Sequence, residues 1–327
     1  MFAKSWIYYY LCGLIYSISA MNSKAKGYFL AALAAAAYGT NPAFAIPLYE
    51  TDGMNPASVL LFRYGLSLPI LALMARMRGR SLRLQWRQLA VLAVLGVLVA
   101  VSSLTLFESY RFINSGVAST LLFVYPVMVA VIMSLFFREK FKSSTALCLI
   151  IMAGGLYLLM NGGNSPFSPV GFALVMLSSL TYAVYLVMVS VSRSLRSVAT
   201  IPLMFYVILF GEVVYPVYIG LTGSLTLPAH AAGWLNLAAL AVIPTVLSLT
   251  CTTLAIGASG STPTAIFGAL EPVTAVVLST FLLRQPISGA ELGGGLLIVI
   301  ATSLVVVSDR VDAILLRVRK LFPRIRR

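Results

Sequence analysis

Residues 268–286 read GALEPVTAVVLSTFLLRQP, and residues 122–140 read LFVYPVMVAVIMSLFFREK. Both are apolar runs that carry a proline near their start, and they align at a constant offset of 146 residues, which places Pro126 on Pro272. Glu271 brings a carboxylate into the second run, directly before its proline. A repeated apolar segment with a repeated helix breaker indicates that the second half of the chain duplicates the first.

The composition predicts a polytopic membrane protein. Of the 327 residues, 60% are hydrophobic and 10% are charged, whereas soluble domains carry about a quarter charged residues. A transmembrane helix needs about 20 consecutive apolar residues. Windows of that kind predict ten spans, at 27–48, 56–77, 87–107, 115–137, 143–160, 169–191, 201–221, 234–256, 262–283 and 288–307.

Basic residues predict the orientation of the spans, because Lys and Arg concentrate in cytoplasmic loops. With the N-terminus in the cytoplasm, the segments on the inner side hold 20 of the 23 Lys and Arg residues. We therefore expect a bacterial inner-membrane protein with both termini in the cytoplasm. The net charge of +14 is explained by this topology, and no nucleic-acid partner is expected.

Two copies of five spans each account for the ten spans. Residues 27–38 (GYFLAALAAAAY) also resemble residues 171–182 (GFALVMLSSLTY). Since five is an odd number, the second copy must insert upside down. The predicted fold is an all-α integral membrane protein of ten transmembrane helices in two inverted five-helix repeats, at 27–160 and 169–307. Such repeats are typical of secondary transporters, whose binding sites lie near the membrane midplane.

The two ends of the chain lie outside the repeats. Residues 1–26 form an N-terminal leader or cytoplasmic segment, and the apolar stretch within the first 20 is short for a span. It could be a signal peptide or a translated upstream leader, since Met21 already resembles a natural start. Residues 308–327 place apolar and basic residues at helical spacing, which predicts a basic amphipathic helix on the lipids of the cytoplasmic leaflet.

The two five-helix halves, the prolines of the fourth and ninth spans and the Glu-Pro-Val motif at 271–273 resemble the drug/metabolite transporter superfamily, specifically its EamA-type members. The resemblance covers roughly 27–307 and implies a ten-helix metabolite transporter. Two features depart from the family pattern. Tyr38 stands where these proteins often have Trp, and Arg284-Gln285 stands where they often have Gly-Glu.

Three charged residues are predicted deep inside spans. An ionisable group at mid-depth costs about 2.5–3.5 kcal/mol on insertion scales, so it usually faces a cavity or a partner. Glu271 is expected to bind an amine or a proton on a cavity wall, or to be held structurally between helices, and the same alternatives apply to Glu212. Arg63 could bind a substrate carboxylate or neutralise one of these glutamates. Pro272 is expected to free the carbonyl of Gly268.

Polar and aromatic residues of other spans complete the candidate site. The glycine and prolines around Tyr38 and Asn41 predict a broken first span, although a simple packing kink would give the same pattern. Tyr182 and Tyr185 occupy the matching region of the sixth span, and Tyr125-Pro126 matches Glu271-Pro272. These tyrosines could line a cavity for amino acids or flat aromatic solutes, or they could be core and interface residues.

The predicted function is secondary transport, with export of small metabolites such as amino acids by alternating access through a central cavity. The chain has no nucleotide-binding P-loop, and we expect no cofactor, no metal and no catalytic residue. If transport is proton-coupled, Glu271 or Glu212 would carry the proton. Sugar-phosphate, nucleotide-sugar or drug transport is the nearer alternative, and an intramembrane lipid-modifying enzyme is the remote one.

Overall fold

The computed structural model describes residues 23–137, 143–161, 168–195, 197–222, 224–259, 264 and 267–306. Residues 1–22 of the predicted leader, Arg138 and the predicted amphipathic tail lie outside the described residues. The helices are α1 Ser23–Gly39, α2 Asn41–Glu50, α3 Pro56–Met77, α4 Trp86–Ser109, α5 Ser115–Leu122, α6 Tyr125–Phe136, α7 Ser143–Asn161, α8 Pro169–Val191, α9 Thr200–Glu212, α10 Val214–Thr222, α11 Ala231–Leu240, α12 Ser248–Ser259, α13 Leu270–Phe281 and α14 Gly289–Val306.

These helices form the ten predicted spans. Seven stretches of the described chain are long and apolar enough to cross a membrane, and three shorter apolar helices, Ala146–Leu159, Leu270–Phe281 and Gly289–Leu304, complete the set. The first, fourth and seventh spans each consist of two helices, α1–α2, α5–α6 and α9–α10. In the eighth span, a π-helical segment at Ala241–Leu247 joins α11 to α12. The ten-helix prediction is thereby confirmed.

The main contacts between the two halves are related by symmetry. When one repeat is exchanged for the other, each of the contacts below maps onto another contact or onto itself. The first span contacts the eighth and the ninth, and the sixth span, its counterpart, contacts the third and the fourth. The second span contacts the eighth as the seventh contacts the third. The second and seventh, fourth and ninth, and fifth and tenth spans each contact their own counterpart. Every one of these contacts joins one half to the other, so the repeats interlock and do not fold side by side.

Individual hydrogen bonds repeat this symmetry. Ser102 Oγ in the third span donates to the carbonyl oxygen of Ser178 in the sixth at 3.0 Å. In the other half, Ser248 Oγ in the eighth span donates to the carbonyl oxygen of Ala34 in the first at 2.9 Å. Small hydroxyl residues are common at helix interfaces in membranes because they satisfy polar groups without separating the backbones. The two bonds hold equivalent helix pairs.

Irregular backbone occurs where the prolines predict it. The first span is interrupted at Thr40, as expected. The fourth span is interrupted at residues 123–124, so that α6 begins at Tyr125 next to Pro126. In the ninth span, a turn at residues 268–269 precedes α13, so the breaks in the two repeats coincide within one residue.

The carbonyls that these prolines leave without their helical donor are nevertheless satisfied. The carbonyl oxygen of Leu122, one turn before Pro126, accepts from Ser179 Oγ in the sixth span at 3.2 Å. The carbonyl oxygen of Gly268 accepts from the backbone N–H of Glu271 at 3.0 Å, because the chain tightens into a turn there. The expectation of a free carbonyl at Gly268 is therefore wrong.

Candidate functional site

The side chain of Glu271 lies within electrostatic range of four tyrosines, each from a different span. Its carboxylate is half-buried and interacts electrostatically with four tyrosine hydroxyls. They belong to the first, third, fourth and sixth spans and are Tyr38, Tyr110, Tyr125 and Tyr182. No residue in the described part of the chain donates a hydrogen bond to this carboxylate or forms an ion pair with it. We name these five residues the central cluster.

Close backbone contact holds the broken first span against Glu271. A Cβ added at Gly39 would stand 2.5 Å from the carbonyl oxygen of Glu271 and 2.7 Å from Cβ of Thr274. Only a residue without a side chain allows this approach. The end of α1 therefore rests on the first turn of α13, and this contact places Tyr38 beside the carboxylate.

Three of the predicted tyrosines form one aromatic wall. The rings of Tyr125 and Tyr182 meet edge to face with their centroids 4.8 Å apart, and Tyr182 stacks on Tyr185 at 5.7 Å. The hydroxyl of Tyr185 contacts Met204 Sδ in the seventh span at 3.8 Å. Tyr185 therefore packs behind Tyr182, while Tyr125 and Tyr182 belong to the central cluster.

Asn41 begins α2 and is 3% exposed. Its Nδ2 donates to the carbonyl oxygen of Tyr38 at 2.9 Å, a bond that bridges the break in the first span. Its Oδ1 is buried and has no hydrogen-bond partner among the described residues. Because an unsatisfied buried acceptor costs about 1–3 kcal/mol, such an atom is a candidate for binding a ligand.

Arg63 is buried in the second span, where it is 2% exposed. Its Nε donates to Thr245 Oγ1, in the π-helical segment of the eighth span, at 3.0 Å. The guanidinium lies over the rings of Tyr64 and Phe107, at 5.0 and 5.4 Å from their centroids. These contacts fix the plane of the guanidinium group.

Arg63 forms no ion pair with either membrane glutamate. The expectation that it neutralises Glu212 or Glu271 by direct pairing is therefore wrong, because a hydroxyl and two aromatic rings hold its guanidinium instead. Other polar contacts of acidic side chains in the described structure lie near loops, as in the ion pair of Arg111 with Glu108 and the contact of His230 Nδ1 with Asp52 Oδ1.

Glu212 lies apart from the central cluster. It ends α9, just before the break in the seventh span. Its Oε1 is 3.3 Å from the position that a Cβ would take at Gly65 in the second span, and its Oε2 is buried without a partner among the described residues. Its electrostatic contact is with Tyr215, which does not belong to the central cluster. The two predicted carboxylates therefore occupy separate environments.

Comparison with known proteins identifies the family. The model of the EamA-like transporter family matches the chain twice, over residues 25–161 and 169–307. The chain belongs to the EamA-like transporter family. This EamA-family protein is 25% identical to the uncharacterized transporter YdfC of Bacillus subtilis (strain 168) over 219 residues, which cover 64% of the chain and 70% of YdfC.

Two further matches agree with the assignment. An uncharacterized transporter of Archaeoglobus fulgidus is 26% identical over 144 residues, 44% of this chain, and the match spans half of that relative's length. A solved crystal structure with 17% sequence identity superposes with a TM-score of 0.62, covering 88% of this chain and 98% of the other. At that identity the superposition shows the fold alone.

Membership of this family establishes a multi-pass membrane transporter. It is a transporter family and not an enzyme family, so the alternative of an intramembrane lipid-modifying enzyme is excluded. The substrate and the mechanism are separate questions, which the geometry of the central cluster addresses.

Several residues around the site were not anticipated from the sequence. Tyr110, in electrostatic range of Glu271, and Phe107, which contacts the Arg63 guanidinium, lie at the end of the third span. Thr245 accepts a hydrogen bond from Arg63. One signal was present for Thr245, since Pro244 directly before it predicts irregular backbone in the eighth span. Nothing in the pattern of the third span distinguishes Tyr110 and Phe107 from ordinary packing residues.

Proposed function

We propose that this EamA-family protein is a secondary transporter that exports small metabolites, amino acids among them, through a site at Glu271. One observation carries the proposal. Glu271 is a half-buried carboxylate, surrounded by tyrosines of four spans and without a protein partner in the described structure. An ionisable residue in a membrane interior is a functional-site candidate by default, and here the substrate supplies the missing partner.

The symmetry of the helix contacts supports alternating access. The main contacts between the two halves are related by exchange of the repeats, as those of the first span with the eighth and ninth are to those of the sixth with the third and fourth. In inverted-repeat transporters, such exchange converts a conformation open to one side into a conformation open to the other, around a fixed central site. The central cluster fits that scheme because Tyr38 and Tyr125 come from the first half, and Tyr182 and Glu271 from the second.

A gradient supplies the driving force in this proposal, since the chain has no P-loop for a nucleotide. A proton gradient is the form that the site supports. Glu271 and Glu212 both place a carboxyl inside a span without a basic partner in the described structure, so either can carry a proton across.

Drug transport is the second candidate function. The edge-to-face and stacked tyrosines of the aromatic wall suit flat aromatic cations as well as amino acids, because cations bind favourably over aromatic rings. Sugar-phosphate transport is less well supported. Arg63 is the one buried basic side chain among the described residues, and a phosphate dianion calls for more than one.

Release from liposomes tests the proposal. Purified protein is reconstituted into liposomes loaded with a mixture of labelled amino acids, and the release of each is followed for the wild type, Glu271→Gln and Glu50→Gln. Glu50 is an exposed carboxylate at the end of the first span, so its variant is the matched control. We expect selective release by the wild type and the control, and slower release by Glu271→Gln.

The same liposomes test proton coupling. An imposed pH gradient is expected to accelerate release by the wild type, and one of the variants Glu271→Gln and Glu212→Gln is expected to remove that acceleration. Release that does not respond to the gradient in any of the proteins would rule out proton coupling. No release above empty liposomes would set amino acids aside and favour the drug alternative, tested next with labelled aromatic cations.

The proposed location is a bacterial inner membrane, with both termini in the cytoplasm. The supporting observation is the charge distribution, because 20 of the 23 Lys and Arg residues fall on the side assigned to the cytoplasm. A reporter fused to the C-terminus, active only in the cytoplasm, is expected to be active. An inactive fusion beside an active periplasmic reporter at the same position would reverse the orientation.

A further inference from the structure

Arg63, buried in the second span, and Glu271, half-buried in the ninth, carry opposite charges and form no ion pair with each other. We propose that they form the two poles of a binding site for a zwitterion, in which Arg63 binds the substrate carboxylate and Glu271 binds its ammonium group. The proposal rests on the proposed function at Glu271 and extends it by assigning a carboxylate subsite and a substrate charge pattern.

The guanidinium of Arg63 has unused donors. An arginine side chain carries five N–H donors, and within the described structure the bond from Nε to Thr245 is the hydrogen bond that it makes. The rings of Tyr64 and Phe107 fix the plane of the group without accepting from its terminal nitrogens. A guanidinium held in this way presents two parallel donors, which match the two oxygens of a carboxylate.

Both poles act on the same tyrosines. Tyr38 interacts electrostatically with Arg63 and with Glu271, and so does Tyr110. The two charges do not approach to ion-pair distance. Ring contacts connect the Arg63 guanidinium to the central cluster, because it lies 5.4 Å from the Phe107 centroid and the Phe107 ring packs on Tyr110 at 5.4 Å. Direct pairing would be the simplest compensation for burying both charges, since an unpaired buried charge is costly. In our proposal, a ligand that carries both complementary charges supplies this compensation.

The surroundings of Glu271 fit an ammonium group. Oδ1 of Asn41 is buried without a donor in the described structure, and Asn41 is bonded to the backbone of Tyr38 beside Glu271. An ammonium group has three donors, so it can use Glu271, this amide oxygen and a tyrosine oxygen together. The wall of Tyr125 and Tyr182 then takes the apolar or aromatic side chain of the ligand. The ligand class is an α-amino acid with an uncharged side chain.

Three labelled compounds that share one side chain test the assignment. Phenylalanine carries both charges, phenylethylamine lacks the carboxylate, and 3-phenylpropionate lacks the amine. Each is loaded into liposomes that contain the wild type, Arg63→Gln, Arg63→Lys, Glu271→Gln or the exposed control Arg111→Gln. The measured quantity is the ratio of the release rates of phenylalanine and each analogue, which does not depend on the amount of folded protein.

The wild type and Arg111→Gln are expected to release phenylalanine about tenfold to hundredfold faster than either analogue, the range for a lost charge-assisted hydrogen bond. Arg63→Gln is expected to lose only the preference for phenylalanine over phenylethylamine. Glu271→Gln is expected to lose only the preference for phenylalanine over 3-phenylpropionate. Arg63→Lys keeps the charge and is expected to retain part of the preference.

The outcomes separate this inference from the proposed function. If the wild type releases all three compounds at similar rates, the two-pole site is refuted while amino-acid transport stands. A variant that slows all three compounds equally would show that its residue acts structurally, which also refutes the assignment of that pole. If the wild type releases none of the three, both the inference and the amino-acid proposal fail.

Discussion

Substitution of Gly39 by alanine tests the contact that positions the site. The added Cβ would lie 2.5 Å from the carbonyl oxygen of Glu271 and 2.7 Å from Cβ of Thr274, whereas ordinary contacts begin at 3.4 Å. The first span would have to move away from α13 by up to about 0.9 Å, the difference between 3.4 and 2.5 Å. Overpacking of this kind costs about 1–3 kcal/mol.

Gly39→Ala is expected to reduce both the stability of the protein and its transport rate. Gly39→Ala should lower the unfolding temperature of the purified protein in detergent, and it should slow amino-acid release because Tyr38 moves away from the Glu271 carboxylate. Thermal unfolding followed by size-exclusion fluorescence measures the first effect, and liposome release measures the second.

Gly154→Ala is the matched control, since a Cβ at that position in the fifth span meets no atom within 4 Å. Alanine is favoured over glycine in a helix by about 1 kcal/mol, so the control should be as stable as the wild type or more stable. A Gly39→Ala protein with unchanged stability and release would refute the close packing of the first span on α13, and with it the position assigned to Tyr38.

Two further predictions concern the fourth and sixth spans. Ser179→Ala removes the donor to the carbonyl oxygen of Leu122 and should destabilise the protein by about 1–2 kcal/mol, as expected for a buried carbonyl left unsatisfied; an unchanged unfolding temperature would show that this carbonyl finds another donor. Tyr182→Phe keeps the ring contact with Tyr125 and should release phenylalanine from liposomes at near the wild-type rate, while Tyr182→Ala should release it about twofold to tenfold more slowly, since an aromatic pair contributes about 0.5–1.5 kcal/mol. Equal release by the two variants would show that the ring does not contact the substrate.

Much of the fold could be predicted because it depends on local properties of the chain. Each span is specified by its own hydrophobicity, and each break by its own glycine or proline. The interruption at Thr40 and the coinciding breaks before Pro126 and Pro272 follow from this. The π-helical segment around Pro244 was not predicted, because a proline reveals that the backbone is irregular but not which irregular form it takes.

The sequence alone determined ten spans in two inverted copies and the charged and aromatic residues available inside them, because hydrophobicity, helix breakers and repeats are written along the chain. Only the tertiary structure decided which of these residues meet. It placed Glu271 among tyrosines of four other spans and set Glu212 apart against Gly65. It also showed that the Arg63 guanidinium contacts Thr245 and two aromatic rings and does not pair with a glutamate. Partners in a helix bundle depend on the rotation and register of helices that are distant in sequence, and no local pattern records these.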